Sequence, residues 1–103
     1  YLIIKKGEHG ALLFDKKQTF YVPALPLKKV LDPTGAGDSF AGGFVGSLEQ
    51  SKEISFKNMK KALVNATAIA SFCVEDFGTK KLTQITKSDL EKRTQKIINL
   101  VTV

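Results

Sequence analysis

The segment that most constrains this chain is Asp-Pro-Thr-Gly-Ala-Gly-Asp at positions 32–38, followed at 39–46 by a run rich in small and aromatic residues. Gly35 and Gly37 can adopt backbone conformations that other residues avoid, and they let a ligand approach the main chain without meeting a Cβ atom. The first N–H groups of a helix have no partners within the helix, and the helix dipole adds positive charge at the same end. A glycine turn that leads into a helix therefore predicts an anion-binding site.

Asp38 is an unusual residue for such a site, because a carboxylate repels a bound phosphate. Its presence is explained if it takes part in the chemistry, for example by accepting a proton from an attacking hydroxyl group. The other interpretation is that Asp38 caps the helix and that the glycines only permit a tight turn. The residues alone leave both interpretations open. They do exclude two common phosphate motifs, because no Lys follows the glycines as in a P-loop and Phe40 replaces the third glycine of the dinucleotide fingerprint.

The pattern of apolar residues predicts strands in the first third of the chain and helices after it, which is an α/β fold class. Apolar and β-branched residues bounded by glycine or polar turns predict strands at 1–5, 11–14 and 19–22, and a short apolar segment precedes the glycine turn at 29–31. A long amphipathic helix is predicted by apolar residues at three- and four-residue spacing, namely Phe56, Met59, Leu63, Ala66, Ile69 and Cys73.

Two more helices complete the prediction. The first covers 39–49, after the glycine turn, although its three glycines lower its intrinsic helix propensity. The second follows a loop at 74–82 and carries its partly apolar stripe on Leu90, Arg93, Ile97 and Leu100. Either Ser88 together with Glu91, or Thr86, is expected to cap the start of this last helix.

Composition narrows the classes of protein further. A hydrophobic content of 43% in 103 residues is enough for one modest core. The net charge of +6 comes largely from dispersed lysine pairs with a single Arg, which favours a solvated surface over a nucleic-acid-binding face. Cys73 is the single cysteine, so an internal disulfide is excluded. No segment approaches the ~18 apolar residues of a membrane span, and we expect a cytoplasmic protein with neither a membrane nor a nucleic acid as partner.

The segment from Asp32 to Phe44 resembles the C-terminal signature of the ribokinase-like (PfkB) family of sugar and nucleoside kinases. Both glycines, the acid and the aromatic and small residues after it occur in the family's order. Upstream, Lys6-Gly7-Glu8-His9-Gly10 resembles the Gly-x-x-Gly turn that the family places beside the nucleotide. Downstream, Asn65 and the loop through Gly78 resemble the helix and loop on the adenine side of the site.

The resemblance implies a role for each matching residue. Asp38 would be the catalytic base, and the N–H groups of Gly35, Ala36 and Gly37 would form the anion hole for the transferred phosphoryl group. A monovalent cation, usually K⁺ in the family, would be held by Asp32 and Thr34. Mg²⁺ would accompany ATP. The nucleotide would be lined by Gly7, Gly10, Asn65 and Gly78.

The resemblance also implies a domain organisation. Residues 1–103 would be the C-terminal nucleotide-binding and catalytic portion of one three-layer α/β/α kinase domain, with the N-terminal substrate-binding part and the lid absent. The implied function is ATP-dependent phosphorylation of a hydroxyl on a sugar or nucleoside, and a homodimer is an option for the intact protein. Since the acceptor pocket is missing, we expect this chain alone to be inactive. The alternatives are a non-catalytic nucleotide-binding or regulatory module and, in third place, a basic nucleic-acid-binding domain.

Overall fold

The computed structural model describes residues 1–6, 9–25, 36–75 and 85–101 of the chain. Three strands come first: β1 (Leu2–Lys5), β2 (Ala11–Phe14) and β3 (Thr19–Val22). Three helices follow: α1 (Ala36–Ser51), α2 (Phe56–Glu75) and α3 (Lys87–Val101).

The strands form one antiparallel sheet in the order β1-β2-β3. Its register aligns Ile3 with Leu13 and Leu13 with Phe20, so these side chains share one face of the sheet. That face packs against the helices, since Leu13 is fully buried and both Ile3 and Phe20 pack on the buried core cluster. Ile3, Leu13 and Phe20 thus lie on the face of the sheet that the helices cover.

The opposite face of the sheet is also rich in apolar residues. Ile4 aligns with Leu12 and Leu12 with Tyr21 on this side. Leu2, Ile4 and Tyr21 remain 57%, 40% and 46% exposed. The described part of the chain therefore covers one face of its sheet and leaves the other largely open to solvent.

Helix α2 lies at the centre of the molecule and packs against α1, α3 and β3. Because it has neighbours on several sides, α2 is buried around much of its circumference, including the polar residues Thr67 and Ser71. Their hydroxyl groups donate to backbone carbonyls of α2 itself, Thr67 Oγ1 to Leu63 at 2.9 Å and Ser71 Oγ to Ala68 at 2.6 Å. The two buried hydroxyls thus have the partners that burial requires.

Helices α1 and α2 approach most closely at Gly43. A Cβ atom on this residue would lie 2.7 Å from Ile69 Cδ1 and 3.4 Å from the Ala66 Cα atom. Gly42, one position away, has no such neighbour within 4 Å. Among the glycines of α1, Gly43 is therefore the one that the helix pair requires for its packing distance.

Helix α3 is held by a cap at its start and by the contacts of the half-buried Arg93. Thr86 Oγ1 accepts from the Asp89 N–H at 3.1 Å, while the Asp89 carboxylate accepts from the Thr86 N–H at 3.1 Å, which forms a reciprocal capping box. Further along, the Arg93 guanidinium lies 3.9 Å from the centroid of the Phe72 ring and donates to Ser71 Oγ at 2.9 Å. These contacts attach α3 to α2, and Ile97 of α3 is fully buried in the core cluster.

The structure confirms the predicted order of strands and helices and corrects some of its details. α1 begins at Ala36 and ends at Ser51, so it extends the predicted 39–49 helix at both ends. The loop expected from 74 is wrong at its start, because α2 continues to Glu75. Ser88 lies inside α3 and Thr86 is the cap, while Leu100 is 50% exposed and does not belong to the buried stripe. The predicted apolar segment at 29–31 lies outside the described residues.

None of the helices in the described residues combines the length and apolar character that crossing a bilayer demands.

Replacing Gly43 by leucine should destabilise the chain, because the new side chain must enter the contact with Ile69 and Ala66. We expect the free energy of unfolding to fall by about 1–3 kcal/mol, the usual cost of overpacking. Urea denaturation followed by circular dichroism measures the change. Gly42→Leu is the matched control, and it should not lower stability because it gains helix propensity without a clash. Equal losses for the two variants would contradict the close approach at Gly43.

Candidate functional site

The first turn of α1 contains the residues that the glycine signature singles out. Ala36 is its first residue, and Gly37 and Asp38 follow within the same turn. Their N–H groups belong to the set that a helix cannot satisfy internally, so they are available to an anion. The helix dipole gives this end partial positive charge.

Asp38 lies inside this first turn, two residues after the start of the helix, and not at the N-cap position that precedes it. Its side chain is exposed, and within the described part of the chain it has neither a hydrogen bond nor an ion pair. The carboxylate is therefore available to a ligand beside the helix N-terminus. A carboxylate at this place can accept a proton from a hydroxyl group that approaches a bound phosphate.

The end of β1 brings a positive charge to the same turn. The Lys5 ammonium lies 3.6 Å from the place that a Cβ atom would take on Gly37, and 5.4 Å from the centroid of the Phe40 ring. The sequence alone does not distinguish Lys5 from the other lysines of the chain. Strand alternation could have placed it on the same face as Ile3, but only the position of α1 shows what the side chain meets.

The turn before β2 is held in a defined conformation around Gly10. The Lys6 N–H donates to the Gly10 carbonyl at 2.7 Å, and the His9 N–H donates to the Lys6 carbonyl at 3.0 Å. Tyr21 fixes the turn from β3, since its hydroxyl donates to the His9 carbonyl at 2.7 Å. Gly10 has a φ of +94°, and a Cβ atom there would overlap the carbonyl oxygen of Val22. The backbone alone therefore demands glycine at this position.

The sheet places this turn near the helix start. Lys5 pairs with Ala11, the residue after Gly10, so both lie at the same end of the sheet. Because Lys5 also reaches the first turn of α1, the structure brings two of the predicted segments, the Gly10 turn and the Asp38 turn, to one region of the molecule.

Asn65 lies elsewhere, in the middle of α2, where it connects three helices. Its Nδ2 donates to Ser47 Oγ of α1 at 3.1 Å, and its Oδ1 accepts from Thr94 Oγ1 of α3 at 3.3 Å. Asn65 also lines a cleft of about 780 Å³ with Gln50 and Leu90. That volume is within the range of ~300–1,000 Å³ for small-molecule sites. An amide has two donor hydrogens and two acceptor lone pairs, so one of each remains for a ligand.

The remaining predicted site residues lie outside the described residues, namely Gly7, Asp32, Thr34, Gly35 and Gly78. The structure therefore gives no geometry for these five residues, and the roles of all the site residues, Gly10, Asn65 and Asp38 included, remain predictions. In the ranges that are described, no group of three or more His, Cys, Asp or Glu side chains could hold a metal ion. What the described residues do offer fits a phosphate: unpaired helix N–H groups, the dipole and a nearby ammonium.

Comparison with known proteins gives consistent matches over this region. Residues 1–86 match the model of the pfkB family carbohydrate kinase. Over 77 residues the chain is 38% identical to a nucleoside kinase of Methanocaldococcus jannaschii, which covers 75% of this chain and 24% of that protein. Over 76 residues it is 38% identical to an aminoimidazole riboside kinase of Salmonella typhimurium, again covering 74% of this chain and 24% of the relative. The chain thus spans about a quarter of the length of these curated relatives.

Solved structures show the same likeness in three dimensions. The Burkholderia thailandensis nucleoside kinase in complex with inosine superposes with a TM-score of 0.77 and 27% identity, over 94% of this chain and 30% of that one. The aminoimidazole riboside kinase of Salmonella enterica, complexed with its riboside and an ATP analogue, gives a TM-score of 0.76 and 32% identity, over 89% and 30% of the two chains. These neighbours are kinases of the ribokinase fold, so the predicted α/β fold class is confirmed.

The hydrogen bond between Asn65 and Ser47 should appear as a coupling energy between α2 and α1. In a double-mutant cycle of Asn65→Ala and Ser47→Ala, we expect a coupling energy of about 0.5–1.5 kcal/mol. The double mutant should therefore lose less unfolding free energy than the sum of the two single losses. Urea denaturation of the four chains measures the coupling. Asn99→Ala on the exposed side of α3 is the control, which should couple to Ser47→Ala by less than about 0.5 kcal/mol. Additive losses for Asn65 and Ser47 would show that this contact contributes nothing.

Proposed function

Because this chain belongs to the pfkB family of carbohydrate kinases, we propose that it forms the nucleotide-binding and catalytic portion of an ATP-dependent kinase for a hydroxyl of a sugar or nucleoside. The observation that carries the proposal is the exposed Asp38 carboxylate within the first turn of α1, directly after Gly37. A carboxylate repels a bound phosphate, so binding alone does not explain an acid at this helix start. Proton transfer from the acceptor hydroxyl does explain it.

Asp38 acts as the general base in this mechanism. Its carboxylate takes the proton of the acceptor hydroxyl, whose oxygen then forms a bond to the γ-phosphorus of ATP. The bond from the γ-phosphorus to the bridging oxygen breaks, and ADP leaves with that electron pair. Because little covalent chemistry falls to the protein, its contribution is to position the groups and to stabilise charge.

The N–H groups of Gly35, Ala36 and Gly37 stabilise the negative charge on the transferred phosphoryl group. Such donors are effective because they are already oriented before the reaction begins. Asp32 and Thr34 would hold a monovalent cation such as K⁺ next to this anion hole. Mg²⁺ bound with ATP would neutralise charge on the phosphates.

The nucleotide would lie against Gly7, Gly10, Asn65 and Gly78. The hydrogen-bonded turn around Gly10 supports this role, since it lies at the same end of the sheet as the Asp38 turn. Asn65 would contribute the donor hydrogen and the lone pair that remain after its bonds to Ser47 and Thr94.

The acceptor would bind to residues outside this chain, which spans about a quarter of its curated relatives. We therefore propose that residues 1–103 do not catalyse transfer by themselves and that the whole domain supplies the sugar or nucleoside pocket. Relatives named for nucleosides, an aminoimidazole riboside and fructose support this class of acceptor. We further propose a cytoplasmic protein and a homodimer as an arrangement of the intact kinase.

The role of Asp38 is tested by Asp38→Asn in the full-length protein that carries this chain. We expect kcat for ADP release to fall by about 10²–10⁴-fold, the usual contribution of a general base, while ADP binding stays within about twofold. The assay uses ATP, Mg²⁺ and K⁺ with a panel of sugars and nucleosides. Glu49→Gln, an exposed acid near the other end of α1, removes the same charge and should leave kcat unchanged.

Two outcomes would contradict the proposal in different ways. If Asp38→Asn transferred phosphate at an unchanged rate, Asp38 would not be the general base, although the protein would still be a kinase. ADP binding by the unmodified protein without transfer to any acceptor would favour the non-catalytic nucleotide-binding module.

A further inference from the structure

We propose that Tyr21 is a positioning residue for nucleotide binding. Its hydroxyl fixes the peptide unit between His9 and Gly10, and with it the backbone groups that the Gly10 turn presents to the nucleotide. The proposal rests on the proposed function, because it takes the Gly10 turn as a place that the nucleotide contacts. Tyr21 acts through this turn from β3 and has no contact of its own with the nucleotide.

Tyr21 lies on the open face of the sheet, in a row across the three strands with Ile4 and Leu12. Of these three side chains, only Tyr21 carries a hydrogen-bond donor. The side chain is 46% exposed, and its hydroxyl donates to the His9 carbonyl at 2.7 Å. A side chain of β3 is thus bound to the turn that precedes β2.

The ring of Tyr21 also lies against this turn. Its Cε1 atom lies 3.0 Å from the place that a Cβ atom would take on Gly10. Because glycine has no side chain, the ring can lie directly beside the Gly10 backbone. The hydroxyl and the ring of Tyr21 therefore contact two successive residues, His9 and Gly10, which share one peptide bond.

A hydrogen bond to the His9 carbonyl fixes the orientation of the whole His9–Gly10 peptide unit. The unit is planar and trans, so its C=O and N–H groups point in opposite directions. While the His9 carbonyl points to the Tyr21 hydroxyl, the Gly10 N–H points away from it. A backbone N–H is a strong donor, so its direction decides what the turn offers to a ligand.

Gly10 by itself does not determine this orientation. Rotating the His9–Gly10 peptide changes the φ angle of Gly10, and glycine adopts positive and negative φ about equally well. The observed φ of +94° is thus one of two accessible values. The two flanking peptides have backbone partners, since the His9 N–H donates to the Lys6 carbonyl and the Gly10 carbonyl accepts from the Lys6 N–H. The peptide between them is held by the Tyr21 side chain.

The role assigned to Tyr21 predicts an effect on binding and none on the transfer step. Without the hydroxyl, a fraction of the unbound protein has the His9–Gly10 peptide rotated, and the nucleotide binds to the remaining fraction. The apparent Kd rises as that binding-competent fraction falls. Once ATP is bound, Asp38 and the acceptor hydroxyl meet it as before.

Tyr21→Phe in the full-length protein tests the assignment, since phenylalanine keeps the ring beside Gly10 and loses only the hydroxyl. We expect the Kd values of ATP and ADP, measured by calorimetry, to rise about 3- to 10-fold, the effect of losing one neutral hydrogen bond. The kcat at saturating ATP and the KM of the acceptor should each change by less than about twofold. Tyr21→Leu, a second variant without the hydroxyl, also removes the ring and should weaken ATP at least as much.

Tyr1→Phe is the matched control. Tyr1 is the other tyrosine of the chain and is 62% exposed, and its hydroxyl has no hydrogen bond within the described part of the chain. The same chemical change at this position should leave the Kd of ATP within about twofold. Thermal unfolding of each variant shows whether it is folded, so that a loss of affinity is not mistaken for a loss of structure.

The outcomes separate this proposal from the one on which it rests. If Tyr21→Phe bound ATP as tightly as the unmodified protein while Asp38→Asn still lost transfer, the role of Tyr21 alone would be overturned. A change in kcat or in the acceptor KM as large as the change in the Kd of ATP would also overturn it, because Tyr21 would then support the fold in general. An equal loss for Tyr1→Phe would do the same. An unmodified protein that fails to bind ATP would overturn both proposals.

Discussion

The close approach of α1 to α2 at Gly43 is the constraint on which the arrangement of this molecule depends. Ile69 and Ala66 of α2 occupy the space that a side chain at position 43 would need. The backbone of α1 at Gly43 therefore lies directly against residues of α2. Because α2 also packs on α3 and β3, it connects α1 to the rest of the molecule. The start of α1, and with it Gly37 and Asp38, is thereby held at one end of the sheet.

The site that results is shared between a helix start and a strand end. The helix contributes N–H groups that have no partner within the helix and the Asp38 carboxylate, while the Lys5 ammonium at the end of β1 lies 3.6 Å from the Cβ position of Gly37. The Gly10 turn lies next to Lys5 in the sheet and is closed by the Tyr21 hydroxyl. Phosphate chemistry suits this arrangement, because positioning and preorganised charge supply most of what such a transfer needs.

The order of strands and helices could be predicted from the sequence, and the features that could not be predicted have physical causes. β2 and β3 have the predicted bounds, since short apolar runs bounded by turn residues are local signals. The glycine segment predicts a turn before a helix that starts at Ser39, whereas Ala36 and Gly37 already belong to α1. The approach of Lys5 to Gly37 could not be predicted, because the two residues are distant in sequence and only the position of α1 beside the sheet brings them together.

The sheet has a thermodynamic consequence that follows from its two apolar faces. One face lies against the helices, while Leu2, Ile4 and Tyr21 on the other are already 57%, 40% and 46% exposed to water in the folded chain. The heat capacity of unfolding scales with the apolar surface that becomes newly hydrated, at about 12–15 cal/mol/K per residue for ordinary domains. Since these side chains are partly hydrated before unfolding begins, the chain should fall below that range. Its curve of stability against temperature should accordingly be flatter than its length suggests.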